Sequence, residues 1–344
     1  MSAPGLVLVV IARDEATRLG RLLDSASAWV DDVLVLDTGS SDGTPELARA
    51  AGARVAHFSW CDDFSAARNA ALDRAGGRWH LVLDADEWLA EGGPALRQAA
   101  ALEPDFVGAV HLTNSFGPDA ASRSSEWLSR LLPGSVRYVG RIHEQPQHRL
   151  PVRRLDVHIG HDGYAPEALQ AKRGRNRLLL EEGVRQSPQD AYLWYQLGKD
   201  AAVYEEHAAA EAAFERAWEL ARGAEPWLLD LAPRRIFGLK CLRLHEQGLA
   251  FAQAASATCA HSPDFHFAVG DLLLGWTETA PHRFADLLAG AEQAWRRCLE
   301  IGERPDLPGA VLGRGSKLAA HNLALVLEGT GRGNEARALR AARG

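Results

Sequence analysis

Short apolar runs alternate with helical patterns over the first half of the chain. Residues 6–11, 32–36, 54–58 and 79–83 are near-continuous apolar segments of strand length, while residues 16–28, 44–51 and 65–75 carry apolar side chains at helical spacing. This rhythm predicts βαβ units and a mostly parallel, Rossmann-like sheet. Thr44 is expected to cap its helix with Pro45 at the first helical position, and Gly52 to stop it.

After Gly163-Tyr164 the strand signals cease and helices rich in Ala, Leu, Glu and Arg follow. Trp194, Leu197, Gly198, Ala210, Phe214 and Ala217 fall on the spacing of a tetratricopeptide hairpin, in which small and large residues interlock two antiparallel helices. Ala201 replaces the usual aromatic. Related spacings recur at Ala291, Trp295 and Cys298 and at Leu323, Gly331 and Ala336, with residues 237–259 a degenerate version. About four helical hairpins result, enough to bury a continuous core. The chain therefore reads as an α/β domain over residues 1–165 and an all-α, tetratricopeptide-like domain over residues 166–344. Residues 318–327 are apolar enough to be either core or a homodimer interface.

Composition agrees with two cores: 344 residues exceed the usual size of one, and 47% hydrophobic with 24% charged residues is globular. A net charge of -7 argues against nucleic acid as the main partner, because phosphate-backbone binding needs a basic surface. Cys61, Cys241, Cys259 and Cys298 are scattered without CxxC pairing, as in a cytoplasmic protein with reduced thiols. The apolar segment at residues 6–12 is too short for a signal peptide and runs straight into Arg13-Asp14-Glu15. No run approaches the roughly 18 apolar residues of a transmembrane segment, so a soluble protein is expected.

The chemistry concentrates where two strands end. Residues 81–83 run into Asp84-Ala85-Asp86-Glu87, whose Asp-x-Asp suits a hard divalent cation bridged to a diphosphate. Residues 33–36 run into Asp37-Thr38-Gly39-Ser40-Ser41-Asp42-Gly43-Thr44. Open α/β sheets collect ligands at the carboxyl ends of their strands, and two acidic sites facing one crevice is what a nucleotide diphosphate requires. Plainer roles compete at each position. Asp84 and Asp86 also read as a solvated strand end, Asp37 as an Asx turn, and Asp42-Gly43-Thr44 as turn and cap chemistry. Arg68 could pair Asp62 or Asp63 across its helix start, Trp60 and Phe64 read as core, and Trp88 fits either over a sugar or in a pocket wall. The basic run at residues 172–177 reads as a solvated helix face or as a contact to diphosphate or acceptor.

Six motifs carry a resemblance: Ile11-Ala12-Arg13-Asp14-Glu15, the Asp37–Thr44 segment, Trp60-Cys61-Asp62-Asp63-Phe64-Ser65-Ala66-Ala67-Arg68-Asn69, Leu83-Asp84-Ala85-Asp86-Glu87, Gly140-Arg141-Ile142-His143-Glu144 and His158-Ile159-Gly160-His161-Asp162-Gly163-Tyr164. With them the N-terminal half resembles a family 2 glycosyltransferase of the GT-A fold. In particular it resembles the subgroup with tetratricopeptide-like helices that includes bacteriocin S-glycosyltransferases. The resemblance implies an inverting transfer from a nucleotide-sugar, a UDP-sugar being favoured, with Mn2+ or Mg2+ as cofactor. It implies a donor site formed by Ala12, Asp14, Glu15, Asp37, Arg68, Asp84, Ala85, Asp86 and Trp88. Within it Asp37 contacts the base with Arg68 beside it, Asp84 lies near the ribose, and Asp86 binds the metal. Asp14 stands where the subgroup usually has Asn.

Breaking an anomeric C–O bond also needs a base for the acceptor's proton. Many family members place it in a Glu-Asp pair after the sheet core, and no such pair occurs between Glu91 and Asp162. Glu144 is the expected base, and His161 is expected to complete the metal site. The resemblance suggests a peptide Cys or Ser side chain as the expected acceptor, with a saccharide or small natural product as the alternative. Two other classes compete. A nucleotidyltransferase would carry a Gly-rich basic loop where residues 11–15 are acidic, and a tetratricopeptide scaffold with an inert GT-A half would lack the acids present here.

Overall fold

The computed structural model describes residues 5–116, 122–161 and 174–343. The chain divides into two compact units, residues 1–179 and 180–344. The domain boundary expected at residues 165 and 166, like Asp162-Gly163-Tyr164 and Lys172-Arg173, lies outside the described residues.

In the first unit the expected alternation appears as β1 (Leu6–Ala12), α1 (Leu19–Ala26), β2 (Asp32–Asp37), α2 (Thr44–Ala50), β3 (Arg54–His57), α3 (Phe64–Ala75) and β4 (Trp79–Asp84). It continues with β5 (Glu87–Glu91), α4 (Gly93–Ala100), β6 (Val107–Phe116), β7 (Ser122–Pro133), β8 (Arg137–Val139), β9 (Gln145–Gln147) and β10 (Val152–His161). The sheet order is β3-β2-β1-β4-β7-β6-β10-β5, and β8 and β9 form a separate antiparallel pair. β1, β2, β3 and β4 run parallel. Beyond β4 the sheet is mixed, because β7 runs antiparallel to β4 and β6, and β10 antiparallel to β5. These later strands escape a reading based on apolar runs. In β7, Ser124, Glu126 and Arg130 interrupt the pattern, and the buried Arg130 finds its partners on other strands.

Strand periodicity sorts β1 onto two cores. Leu6, Leu8, Val10 and Ala12 pack with Leu19, Leu22 and Leu23 of α1 and Leu96 of α4. Val7 and Val9 pack with Ala67, Ala71 and Leu72 of α3. Thr44 departs from its expected role. Gly43 is the N-cap of α2 and makes no side-chain cap bond, while the Thr44 hydroxyl accepts the Glu15 N–H at 2.8 Å.

Helix α5 (Arg175–Gln186) spans the division, and the second unit continues with α6 (Ala191–Val203) and α7 (His207–Leu220), α8 (Leu228–Cys241) and α9 (His245–Ala255), α10 (Pro263–Trp276) and α11 (Phe284–Ile301), and α12 (Lys317–Gly329) and α13 (Gly333–Arg343). Among the described residues these are the four expected hairpins. The small-against-large rule is explicit: a Cβ at Gly198 would overlap the Phe214 ring, and one at Gly270 the Trp295 ring. Six of the ten residues at 318–327 are core within this unit: Ala319, Ala320, Leu323, Ala324, Val326 and Leu327. All four cysteines are free, Cys259 and Cys298 buried. No helix among the described residues is long and apolar enough to cross a membrane.

Candidate functional site

The site is built on the carboxyl edge of three neighbouring parallel strands. Ala12 lies opposite Asp37 and Ile11 opposite Asp84, so the ends of β2, β1 and β4 stand side by side. The chain leaves β1 in one direction for β2 and β3, then crosses to its other side for β4, which opens a crevice at the β1/β4 switch point. Two loops frame the crevice and are laced together. Asp14 N–H donates to Ser40 Oγ at 2.9 Å, Ser41 N–H to Asp14 Oδ1 at 2.7 Å, and Ala16 N–H to Asp42 Oδ2 at 3.1 Å. Asp42 therefore ties one loop to the other as well as serving its own turn. Asp14 has φ 55°, a left-handed conformation that Asn and Asp adopt most readily among side-chain-bearing residues. Asp in place of Asn is thus compatible with this backbone.

Asp37 is buried and makes the Asx turn. Its carboxylate accepts the N–H groups of Ser40 at 3.1 Å and Gly39 at 3.3 Å, and His57 Nδ1 lies 3.2 Å from Oδ2. Burial opposes its ionisation, but the bonds from Ser40, His57 and Gly39 outweigh burial and hold its pKa below the usual carboxylate value.

Beside it lies a chain of alternating charges. The Arg68 guanidinium donates through Nη2 to Asp84 Oδ1 at 2.6 Å and through Nε to Glu144 Oε1. Arg130 donates to Asp84 Oδ2 at 3.0 Å and to Glu87 Oε1, whose other oxygen accepts the Asp84 N–H at 2.9 Å. Arg68 pairs neither Asp62 nor Asp63. Asp63 is instead the N-cap of α3, and Asp62 accepts the Trp60 indole N–H. The Arg68 and Glu144 side chains are each 8% exposed, whereas 36% of the Asp84 side chain stays accessible. Burial disfavours the charge of Asp84, yet Arg68 and Arg130 together hold it far below the usual carboxylate range. Glu87 goes the other way: burial and Asp84 push it up to about 7 against the pull of Arg130.

Asp86 and His161 form a second pair. His161 Nδ1 lies 2.6 Å from Asn114 Oδ1 and so carries the proton, which turns Nε2 toward Asp86 Oδ2 at 3.5 Å. Two ligands each about 2.1 Å from one ion stand about 3.0 to 3.5 Å apart, so this pair fits a shared ion. A carboxylate with an imidazole suits Mn2+, and Mg2+ commonly takes one or two carboxylates with substrate phosphates. No group of three or more His, Cys, Asp or Glu side chains placed to hold a metal occurs among the described residues. Arg18 Nη1 lies 3.8 Å from the same Asp86 oxygen.

Other expected residues have different surroundings. The Ala85 methyl lies in the core with Leu83 and Leu89, and the Ala12 carbonyl accepts the Thr38 N–H at 2.9 Å. Glu15 pairs Arg18 at 2.8 Å. Trp88 packs against Gly160, where a Cβ would overlap its ring, and the Arg21 guanidinium sits 3.7 Å from its ring centroid. Sequence reasoning missed Arg130, Asn114, His57 and Tyr138 because each acts through a partner distant in sequence. Arg130 left one signal, a lone charge inside an apolar strand end whose cost demands an acid opposite.

The family model for glycosyl transferase family 2 matches residues 7–155. A TPR repeat-containing protein of Synechococcus elongatus is 39% identical over 209 residues, covering 56% of this chain and 51% of its own. The SPbeta prophage-derived glycosyltransferase SunS of Bacillus subtilis is 24% identical over 207 residues, covering 57% and 49%. The chain spans about half the length of these curated relatives. Among solved structures, MamA from Desulfovibrio magneticus RS-1 aligns with 51% of this chain and 89% of its own at TM-score 0.39 and 14% identity. Glucosyl-3-phosphoglycerate synthase from Mycobacterium tuberculosis, in complex with Mn2+, UDP and glucosyl-3-phosphoglycerate, aligns with 32% and 43% at TM-score 0.26 and 23% identity.

Proposed function

We propose that this chain, whose residues 7–155 match the family model for glycosyl transferase family 2, moves a sugar with inversion from a nucleotide-sugar, a UDP-sugar by preference, to the side chain of an acceptor peptide. The observation that carries the reading is the strand register that sets Asp37 and Asp84 on either side of Ala12 at the switch point, with Arg68 bonded to Asp84. In this reading Asp37, kept ionised by its turn, accepts the hydrogen bond of a base N–H. The accessible part of Asp84, steadied by Arg68 and Arg130, faces the ribose. Asp86 and His161 hold Mn2+ or Mg2+, an ion that supplies Lewis-acid neutralisation of the charge developing on the leaving diphosphate.

The peptide acceptor rests on the helical unit, since stacked hairpins of this kind hold extended or helical peptides. A Cys side chain needs little help from a base: a free thiol has a pKa of about 8.5, so a few per cent is already thiolate near neutrality. A Ser hydroxyl needs more. The test incubates protein, UDP-sugar and a panel of Cys- and Ser-containing peptides with and without Mn2+, reading intact mass and UDP release. Metal-dependent UDP release with a hexose mass gain on peptide is expected. UDP release with transfer only to a glycan or small molecule overturns the peptide acceptor, and no release with any nucleotide-sugar overturns the transferase reading.

A further inference from the structure

Glu144 enters the site from an element that sequence reasoning treated as separate. It follows a turn containing Gly140 at φ 99° and His143 at φ 50°, immediately before β9. The β8–β9 hairpin is fastened to α3 and to the turn before it at several points. Asn69 uses both halves of its amide on Tyr138, donating to the carbonyl at 2.9 Å and accepting the N–H at 2.8 Å. Phe64 N–H donates to the Arg141 carbonyl at 2.8 Å, and Arg137 bonds Asp73 at 2.7 Å. The hairpin thereby delivers the Glu144 carboxylate to Arg68 Nε, while Nη2 of the same guanidinium meets Asp84. Tyr138 lies under the same guanidinium, 5.3 Å from its ring centroid.

Held this way, Glu144 is buried and its accepting oxygen is committed to Arg68. A general base needs a lone pair within reach of the acceptor's proton. The guanidinium has a fixed planar fork, so pinning its Nε edge determines where Nη2 points. With Glu144 in place, Nη2 points at Asp84. The third nitrogen, Nη1, is buried and has no hydrogen-bond partner in the structure, as is true of the Tyr138 hydroxyl. The fork is therefore held at Nε by the hairpin carboxylate and at Nη2 by Asp84, and no third hydrogen bond fixes it.

We propose that Glu144 is a positioning residue of the nucleotide site: it orients Arg68 against Asp84 and makes donor affinity depend on docking of the β8–β9 hairpin. The inference rests on the nucleotide-sugar reading of this site and gives Glu144 a role other than base. It is tested on the full chain by titrating UDP in the presence of Mn2+ into wild type and Glu144→Gln, alongside steady-state kinetics with a UDP-sugar. UDP affinity and donor KM are expected to weaken roughly tenfold, the usual size for losing a partner that orients a ligand-contacting group, with kcat at saturating donor within about threefold. A kcat loss of a hundredfold or more with unchanged UDP affinity makes Glu144 the base and overturns the inference, as does no change in either quantity. Wild type that fails to bind UDP removes the nucleotide reading, and the inference with it. Should Glu144→Gln fail to fold by far-UV circular dichroism, Glu144→Asp keeps the charge with a shorter reach and is read by the same KM-against-kcat split.

Discussion

Arg68 is nearly buried, and two carboxylates depend on it. Ion pairs of this kind add little net stability over an apolar replacement, but removing one partner strands the other charges. Arg68→Ala is expected to destabilise the protein by about 3 kcal/mol, the lower end for a broken buried pair because Asp84 is partly solvated. Urea denaturation measures the loss, and an unchanged midpoint would show that water replaces the guanidinium freely. Glycines offer a sharper contrast. Replacing Gly by Ala in a helix interior gains up to about 1 kcal/mol from propensity. At Gly238 a Cβ meets nothing within 4 Å, so Gly238→Ala is expected to raise Tm. At Gly198 the Cβ would strike Phe214, and overpacking of about 1–3 kcal/mol exceeds the propensity gain, so Gly198→Ala is expected to lower Tm. The sequence marked Gly198 as special through its spacing to Phe214. It contained nothing to separate Gly238 from it in sign, because only the packed neighbour decides.

Among the helices, α8 carries a buried acid at its start. Asp230 accepts from the Tyr195 hydroxyl at 2.6 Å and from Arg234 Nε at 2.8 and 2.9 Å, with Lys199 Nζ at 3.9 Å. Burial raises its pKa, but Arg234, Lys199 and Tyr195 overcome burial and bring it down to about 2 from 3.8. A depressed carboxylate stabilises the fold above its unfolded pKa and loses that contribution as pH falls through the folded value. The pair of values corresponds to about 2 kcal/mol. Asp264 and Asp271 are pushed the opposite way by burial, so acidification favours their folded forms and masks the effect in wild type alone. The quantity to follow is the stability difference between wild type and Asp230→Asn. It is expected to be near its full size at pH 5 and to vanish toward pH 2. A difference independent of pH would mean that Asp230 contributes by shape and not charge. The same scale explains why β1–β4 and their helices were legible while β5–β10 were not. Buried parallel strands are apolar throughout, whereas β6, β7 and β10 carry His111, Asn114, Glu126, Arg130 and His158, whose partners lie across the sheet.

At the scale of the molecule, the proposed site on Asp86 and His161 would offer an ion two ligands and leave positions for phosphate oxygens. Mn2+ and UDP are therefore expected to stabilise the protein together by more than the sum of each alone in a thermal-shift titration. His161→Ala should abolish that excess, and additive shifts in wild type would remove Asp86 and His161 as a shared site. The sequence by itself determined the division into an α/β half and a helical half, the crevice edge at Asp37 and Asp84, and the hairpin repeat. These follow from periodicities of two and 3.6 and from acids placed at strand ends, which are local properties of the chain. Tertiary structure alone decided that the motifs at residues 60–69 and 140–144 form one unit. There Asn69 clasps Tyr138 and Arg68 meets Glu144 across 76 residues. It also decided that Arg130 completes Asp84, and that Asn114 aims His161. A buried charge is tolerated only beside its counter-charge, and folding, not spacing along the chain, brings the two together.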